Sequence, residues 1–194
     1  MYLRMRRLIY YVACTVDGFI AREDGSLDCF LTAGEHFADL LESFPETIPA
    51  HLRDMLGVRA ENRRFDAVLM GRKTYEVGLE VGVTSPYPHL RQYLFSGGMR
   101  ESPAGEVQLV SGDAVALVRE LKREAGKDIW LCGGGELATR LFREIDELIL
   151  KVNPVLIGSG IPLFRGIVRP TAIEAGASTG YGNGFRLTHY RLKH

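Results

Sequence analysis

Residues 128–142 have the sequence DIWLCGGGELATRLF, in which an apolar, strand-like run leads through three glycines into a helical pattern. Glycine at a strand-to-helix turn lets backbone N–H groups approach a ligand, and the helix that follows directs its unpaired amides and positive dipole end at the same point. Such a turn favours a phosphate or pyrophosphate. The alternative is a tight connection in which the glycines serve only to allow positive φ.

A second stretch, 65–76, repeats the arrangement with the sequence FDAVLMGRKTYE. Arg72 and Lys73 fall in the first turn of the predicted helix, where an exposed cation opposes the helix dipole at a cost of about 0.3–1 kcal/mol. A bound anion would reverse the sign of that contribution. The alternative is that both side chains extend into water and pair with Glu76 or Glu80. Two anion sites on one sheet indicate a dinucleotide.

Composition and charge limit the classes of partner. The chain has 194 residues, 46% of them apolar, and no linker-like, low-complexity or repeated segment, so one domain over residues 1–194 is expected. Its 24 basic and 24 acidic residues balance, which leaves no basic field to gather nucleic acid or an anionic membrane. We therefore expect a small-molecule partner, with no nucleic acid and no membrane.

The cysteines and the first apolar run bear on the compartment. Cys14, Cys29 and Cys132 are odd in number and lack metal-ligand spacing, so neither a disulfide framework nor a metal site is predicted. The apolar run 8–14 is too short to cross a bilayer and lacks the small-residue cleavage pattern of a secretory signal. We expect a cytoplasmic protein with reduced thiols.

Near-continuous apolar runs alternate with helical patterns, which is typical of a three-layer α/β fold around a mostly parallel sheet. Strands are expected near 8–14, 67–70, 92–95, 107–110, 128–131, 148–155, 172–175 and 185–192, and helices over 34–44, 50–63, 74–79, 114–125 and 136–144. Ser111 or Asp113 is expected to cap the fourth helix, and Gly126 to end it. The sequence STGYGNG at 178–184 predicts a hairpin turn, so the sheet should end in an antiparallel pair.

Four motifs, taken in chain order, resemble those of the dihydrofolate reductase superfamily. They are TVDGFIA at 15–21, MGRKTYE at 70–76, Phe95-Ser96, and the glycine triplet 133–135. The first motif and the later stretch NPVLIGSGIPLF at 153–164 look closest to the branch that contains the riboflavin-biosynthesis reductase (RibD C-terminal) domain. The resemblance covers nearly the whole chain.

The resemblance implies a cleft that holds NADPH across the carboxyl ends of the central strands, as expected for ligands on open α/β sheets. The residues that it assigns to the cofactor are Ala13 and Ile20 at the nicotinamide, Gly71, Arg72, Lys73 and Thr74 on one side of the phosphates, and Gly133, Gly134, Gly135, Glu136 and Leu137 on the other. The loop 17–25 would fold over the nicotinamide as a lid. An ordinary surface turn is the alternative for that loop.

Two positions depart from the pattern of the superfamily. Relatives commonly carry a basic residue after the serine of the third motif to bind the adenosine 2′-phosphate, whereas here Ser96 is followed by two glycines. The preference for NADPH over NADH therefore rests on Arg72, Lys73 and Ser96, with Arg100 as a substitute. Dihydrofolate reductases also use a buried carboxylate on the first helix, and residues 32–36 contain no clean match to it.

Asp17 and Glu35 are the candidate catalytic carboxylates, and His36 and Asp39 are further candidates for substrate contact. A carboxylate in a water-poor pocket can have a raised pKa and act as an acid. The alternative is that Gly-Glu-His is a solvated helix start, in which case protonation would come from solvent.

The sequence thus predicts a reductase that uses NADPH to transfer hydride to a small heterocyclic metabolite. By resemblance, the substrate would be of the 5-amino-6-(5-phosphoribosylamino)uracil type or pterin-like, and the protein would be a homodimer. A non-catalytic nucleotide-binding module and a broad-specificity xenobiotic reductase are the alternatives.

Overall fold

A computed structural model describes residues 4–166 and 170–193 of the chain. The first three residues and the last residue of the predicted domain, and residues 167–169, lie outside the described residues. The strands are β1 (Leu8–Thr15), β2 (Phe19–Ala21), β3 (Phe65–Gly71), β4 (Arg91–Phe95), β5 (Val107–Val110), β6 (Asp128–Gly133), β7 (Ile145–Asn153), β8 (Ile161–Pro162), β9 (Ile173–Gly180) and β10 (Arg186–Leu192). The α-helices are α1 (Glu35–Ser43), α2 (Ala50–Arg53), α3 (Arg72–Glu80), α4 (Ala114–Arg123) and α5 (Gly135–Arg140), and short 3₁₀ turns span Pro45–Thr47 and Phe142–Glu144.

Eight strands form one sheet in the order β5-β4-β3-β6-β1-β7-β10-β9. Neighbouring strands from β5 to β7 are parallel, and β10 and β9 are antiparallel to their neighbours. Apolar side chains of α4 and α5 pack on one face of the sheet, and those of α1 and α3 pack on the other. The predicted three-layer α/β fold and its C-terminal antiparallel pair are therefore confirmed.

All eight predicted strands are present with shifted ends, but several local predictions are wrong. The helix expected over 50–63 ends at Arg53, because Gly57 takes a left-handed φ of 67° and the Arg53 guanidinium bonds the carbonyls of Pro45 and Ala60. The helix expected over 136–144 ends at Arg140 and continues as a 3₁₀ turn. Strands β2 and β8 were not predicted. They have three and two residues, which is too short for an alternation of apolar and polar side chains to show in the sequence.

The predicted turns also need correction. Strand β9 continues through Gly180, so the hairpin turn begins at Tyr181 rather than at 178. Of the two candidate caps for α4, Asp113 accepts hydrogen bonds from the first-turn amides. Gly126 does not end α4, which stops at Arg123; a Cβ there would clash with the Asp66 carboxylate, so close packing requires the glycine.

The amino-terminal end of β3 is held by one buried carboxylate. Glu46 is fully buried and accepts hydrogen bonds from the backbone amides of Arg63, Arg64 and Phe65 at 3.1, 2.7 and 2.7 Å. Three amides on one carboxylate position the chain where it enters the central sheet.

Within the described residues, no helix is long and apolar enough to cross a membrane.

We predict that Glu46→Gln lowers the free energy of unfolding by about 1–3 kcal/mol, because an amide nitrogen would then face a backbone N–H that is now satisfied. Urea denaturation followed by circular dichroism measures the change. Glu42→Gln is the matched control, since the Glu42 side chain is 75% exposed. Equal stability of the two variants would contradict the role given to Glu46.

Candidate active site

The two glycine turns meet at the carboxyl edge of the sheet. Met70 of β3 pairs with Gly133 of β6, and each strand then leads directly into a helix, α3 or α5. A Cβ built on Gly71 would lie 3.7 Å from the Gly133 carbonyl oxygen and 3.8 Å from the Gly134 nitrogen. The two predicted anion sites are therefore side by side.

The three glycines of the triplet have different surroundings. Gly133 has φ of 159° and is joined to Gly134 by a cis peptide bond, and a Cβ on either would lie 3.3 or 3.6 Å from the Thr74 hydroxyl. Gly135 instead packs on β8, where a Cβ would clash with the Pro162 carbonyl oxygen. The backbone of the first two glycines thus lies close to the Thr74 hydroxyl, and Gly135 is required by its packing on β8 rather than by a positive φ.

The next two residues of the predicted phosphate site begin α5. Glu136 is exposed, whereas the Leu137 side chain is buried in the core between the sheet and α5. Only the backbone of Leu137 is therefore available to a ligand at this turn.

Arg72 and Lys73 are exposed in the first turn of α3, as predicted. Arg72 Nε lies 3.5 Å from Glu76 Oε1, so the alternative pairing with Glu76 exists, and with both side chains half-exposed it contributes little. Arg72 Nη1 lies 3.9 Å from a Cβ built on Gly98. The guanidinium therefore reaches the turn after β4.

That turn is organised by Ser96, which is buried and whose Oγ accepts hydrogen bonds from the amides of Gly98 and Met99 at 3.3 and 3.2 Å. Beside it, an open cleft of about 360 Å³ is lined by residues 108–113 and the start of α4. Its volume is in the range of small-molecule sites. Arg100 is exposed in the loop that follows.

Asp17 is fully exposed and binds backbone rather than facing a pocket. Its Oδ2 accepts hydrogen bonds from the amides of Ile157 and Gly158 at 3.1 and 2.8 Å. A hydrogen bond with Thr15 is the main reason that the pKa of Asp17 lies below its ordinary value. An ionised carboxylate held in this way fastens the loop after β1 to the loop after β7.

The predicted lid is partly a fixed structure. Within 17–25, β2 pairs with β8, and the Leu163 amide donates to the Gly18 carbonyl at 2.9 Å. Ile20 lies in β2 and packs partly buried against the core, and Ala13 lies partly buried near the end of β1. Both predicted nicotinamide contacts are thus at the same edge as the glycine turns.

The two acidic candidates on α1 face the β9–β10 turn. Glu35 is exposed, and its Oε1 lies 3.1 Å from a Cβ built on Gly182. Asp39 is also exposed and accepts a hydrogen bond from the Tyr181 hydroxyl at 2.9 Å. Neither carboxylate is buried in a pocket where it could meet a substrate away from water.

His36 is a packed core residue. It is 1% exposed and stacks on Phe185 with ring centroids 4.0 Å apart, and its Nδ1 lies 3.0 Å from Asn183 Nδ2. Burial is the main cause of a lowered pKa for His36, so the imidazole is neutral at pH 7. The predicted candidates on α1 therefore join this helix to the hairpin.

Sequence reasoning missed a group of side chains on the sheet face beneath α1. The group consists of Tyr11, Tyr87, Cys132 and Lys151. Burial raises the pKa of the Cys132 thiol to about 12 and lowers that of the Lys151 ammonium to about 8. One signal was present in the sequence: Lys151 is the single charged residue in the apolar run 148–152.

Among the described residues, no cluster of His, Cys, Asp or Glu side chains could hold a metal ion.

Comparison with known proteins places the fold among dihydrofolate reductase-like reductases. The sequence model of the RibD C-terminal domain matches residues 96–187. The uncharacterized protein YwjB of Bacillus subtilis (strain 168) is 32% identical over 189 residues, which is 96% of this chain and 98% of the relative. The chain belongs to the RibD C-terminal domain family. Dihydrofolate reductase of Mycoplasma genitalium is 27% identical over 109 residues, 55% of this chain and 64% of that enzyme.

Solved structures agree with this assignment. A putative riboflavin biosynthesis protein from Shewanella sp. PV-4 is 25% identical, with a TM-score of 0.72 and coverage of 97% of this chain and 99% of that chain. The Thermotoga maritima diaminohydroxyphosphoribosylaminopyrimidine deaminase/5-amino-6-(5-phosphoribosylamino)uracil reductase is 14% identical and has the same fold, with a TM-score of 0.64. The match covers 97% of this chain and 57% of that protein. The family is one of reductases, which generally use a nicotinamide cofactor.

We predict that Gly135→Ala lowers the free energy of unfolding by about 1–3 kcal/mol, because the added methyl group displaces β8. Chemical denaturation measures the loss. The control is Gly97→Ala, since a Cβ at that exposed glycine would have no neighbour within 4 Å. If Gly135→Ala were as stable as the control, the contact with Pro162 would not be needed for packing.

Proposed function

We propose that this protein is a cytoplasmic, NADPH-dependent reductase that delivers hydride to a C=N or C=O group of a small heterocyclic metabolite. The observation that supports this most directly is the convergence of Gly71, Arg72 and the glycine turn at 133–134 on neighbouring strands. Glycine backbone without side chains at this turn and cations at the start of α3 suit a dinucleotide, because a bound phosphate removes the unfavourable interaction of Arg72 and Lys73 with the helix dipole.

In this proposal, NADPH supplies the hydride and the protein supplies position and exclusion of water. Amides at Gly133 and Gly134 and the Thr74 hydroxyl hold the pyrophosphate. Ser96 and Arg72, beside the cleft, would hold the adenosine and its 2′-phosphate. Ala13 and Ile20 flank the nicotinamide, and the paired strands β2 and β8 restrict water there.

The substrate that we propose is a pyrimidine of the riboflavin pathway, with a pterin-like ring as the second choice. The aromatic side chains beneath α1 are buried against one another, with Tyr11 stacked on Phe44 at 4.5 Å and Tyr87 against Trp130 at 5.0 Å, so the support for this substrate comes from the comparisons. One similar structure is named a putative riboflavin biosynthesis protein, another a 5-amino-6-(5-phosphoribosylamino)uracil reductase, and one relative is a dihydrofolate reductase.

A second candidate function is nucleotide binding without turnover. It is favoured by the position of Glu35 and Asp39, whose exposed carboxylates face the hairpin turn rather than a pocket. One measurement distinguishes the two functions. It follows the decrease in NADPH absorbance, which reports the oxidation of NADPH, in the presence of dihydrofolate or the ribosylamino pyrimidine. Turnover of either compound would exclude the non-catalytic function.

We predict that NADPH quenches the fluorescence of Trp130 saturably and binds more tightly than NADH. Trp130 is the only tryptophan and lies on β6 three residues before Gly133, within about 10 Å of it. Arg72→Gln should weaken NADPH binding about 10- to 100-fold, and NADH binding less, because charge-assisted hydrogen bonds to the 2′-phosphate are lost.

Arg123→Gln is the matched control for Arg72→Gln. Arg123 is exposed at the last residue of α4, whereas the cleft beside Ser96 lies at the first residues of that helix. A loss at Arg100→Gln instead would assign the 2′-phosphate to the substitute arginine. Absence of quenching by both NADPH and NADH would overturn the proposed function.

We also propose a homodimer in which a second copy covers β9. All eight residues of this strand are exposed and it forms an edge of the sheet, so no strand among the described residues pairs with its outer backbone groups. We expect sedimentation equilibrium to give twice the chain mass of 21.6 kDa, and Ile173→Lys to shift it toward the monomer. A wild-type mass of one chain would contradict the proposal.

A further inference from the structure

Lys151 lies on β7, at the edge of the sheet where the cofactor is proposed to bind. Its register partners are Ala13 on β1 and Leu187 on β10, so the three side chains share one face of the sheet. Neighbouring strands are about 4.8 Å apart, which places the Lys151 backbone next to the proposed nicotinamide contact Ala13. The face is the one that α1 covers.

The surroundings of the Lys151 ammonium contain aromatic and thiol groups. Nζ lies 4.3 Å from the centroid of the Tyr11 ring. The titratable groups that interact with its charge are the thiols of Cys14 on β1 and Cys132 on β6, and the imidazole of His36 on α1. On β10, the register partner Leu187 is apolar and buried.

These neighbours do not supply a counterion at neutral pH. Burial raises the pKa of Cys14 to about 11 and that of Cys132 to about 12, so both thiols stay protonated, and burial also raises the pKa of the Tyr11 hydroxyl. The buried, neutral His36 adds no negative charge. Lys151 is partly exposed, and a partly desolvated cation without a paired anion is still costly; a ligand group that accepts its hydrogen bond relieves that cost.

Desolvation is the main cause that lowers the pKa of Lys151 to about 8. The amine is therefore mostly protonated at pH 7 and can release and regain its proton near that pH. A general acid works best when its pKa lies close to the operating pH.

We propose that Lys151 is the proton donor for the reduction, acting on the substrate atom that becomes basic as hydride arrives at its neighbour. This inference rests on the proposed function. The hydride electron pair forms the new C–H bond, the π pair of the C=N or C=O group moves to the heteroatom, and that atom takes a proton from Nζ. NADPH is oxidised, the substrate is reduced, and Lys151 regains its proton from water.

The first test measures the titration of Lys151 without any substrate. The chain has only five lysines, so reductive methylation with ¹³C-formaldehyde gives a small set of NMR signals, and Lys151→Arg identifies the signal of interest. We expect that signal to titrate near pH 8, while exposed lysines titrate near their ordinary value of about 10.4. An ordinary value for Lys151 would overturn the proposal.

The second test asks whether Lys151 lies beside the nicotinamide. The oxidised ring carries a positive charge and the reduced ring does not, so saturating NADP⁺ should lower the pKa of Lys151 relative to saturating NADPH. Equal pKa values in the two complexes would place the amine away from the reacting ring and overturn the proposal.

The third test separates proton donation from binding of an anionic substrate group. On whichever of the two probes, dihydrofolate or the ribosylamino pyrimidine, is reduced by the wild type, Lys151→Met should lower kcat about 10²- to 10³-fold. Lys151→Arg keeps the charge but holds its proton too tightly, so kcat should stay low with KM nearly unchanged. The wild-type fall in kcat above about pH 8, where the donor loses its proton, should be absent from Lys151→Arg.

Lys127→Met is the control, since Lys127 is exposed before β6 at the opposite edge of the sheet. Full rescue by Lys151→Arg would overturn proton donation and identify an anchor for a substrate anion. The proposed function fails separately: if NADPH does not quench Trp130, both ideas fall, whereas NADPH binding with an ordinary Lys151 titration removes the proton donor alone.

Discussion

The parallel insertion of β6 between β3 and β1 is the constraint on which the rest of the structure depends. Because the three strands run in the same direction, their carboxyl ends meet at one edge, and the chain leaves each of them through a turn or the start of a helix. Gly71 and Gly133 become neighbours only through this pairing. The same pairing brings Ala13 to that edge, and with it Lys151 on the next strand.

The two edges of the sheet differ in their electrostatics. At the amino edge, Glu46, Asp128 and Glu147 are buried and bonded to backbone amides or arginines, so their charges stabilise the fold. At the carboxyl edge, Arg72 and Lys73 are exposed at the start of a helix, where they do not stabilise it. Such a division separates groups that hold the sheet together from groups suited to an anionic ligand.

The role of α1 differs from the one that the sequence suggests. Its titratable side chains bind the β9–β10 turn, so this helix is joined to the last two strands of the sheet. The sheet face that it covers contains aromatic rings, the neutral thiol of Cys132 and the ammonium of Lys151. In our proposals, the proton donor therefore comes from β7 rather than from α1.

The sequence by itself determined the fold class and the order of the glycine turns, because apolar periodicity and turn chemistry are local properties of the chain. It also pointed to Arg72 through a charge in an unfavourable place. Only the tertiary structure decided that Gly135 packs on β8, that Asp17 binds backbone amides, and that Lys151 lies beside Ala13. Each of these depends on which distant segments become neighbours, and contacts between segments far apart in the chain leave no local pattern from which to read them.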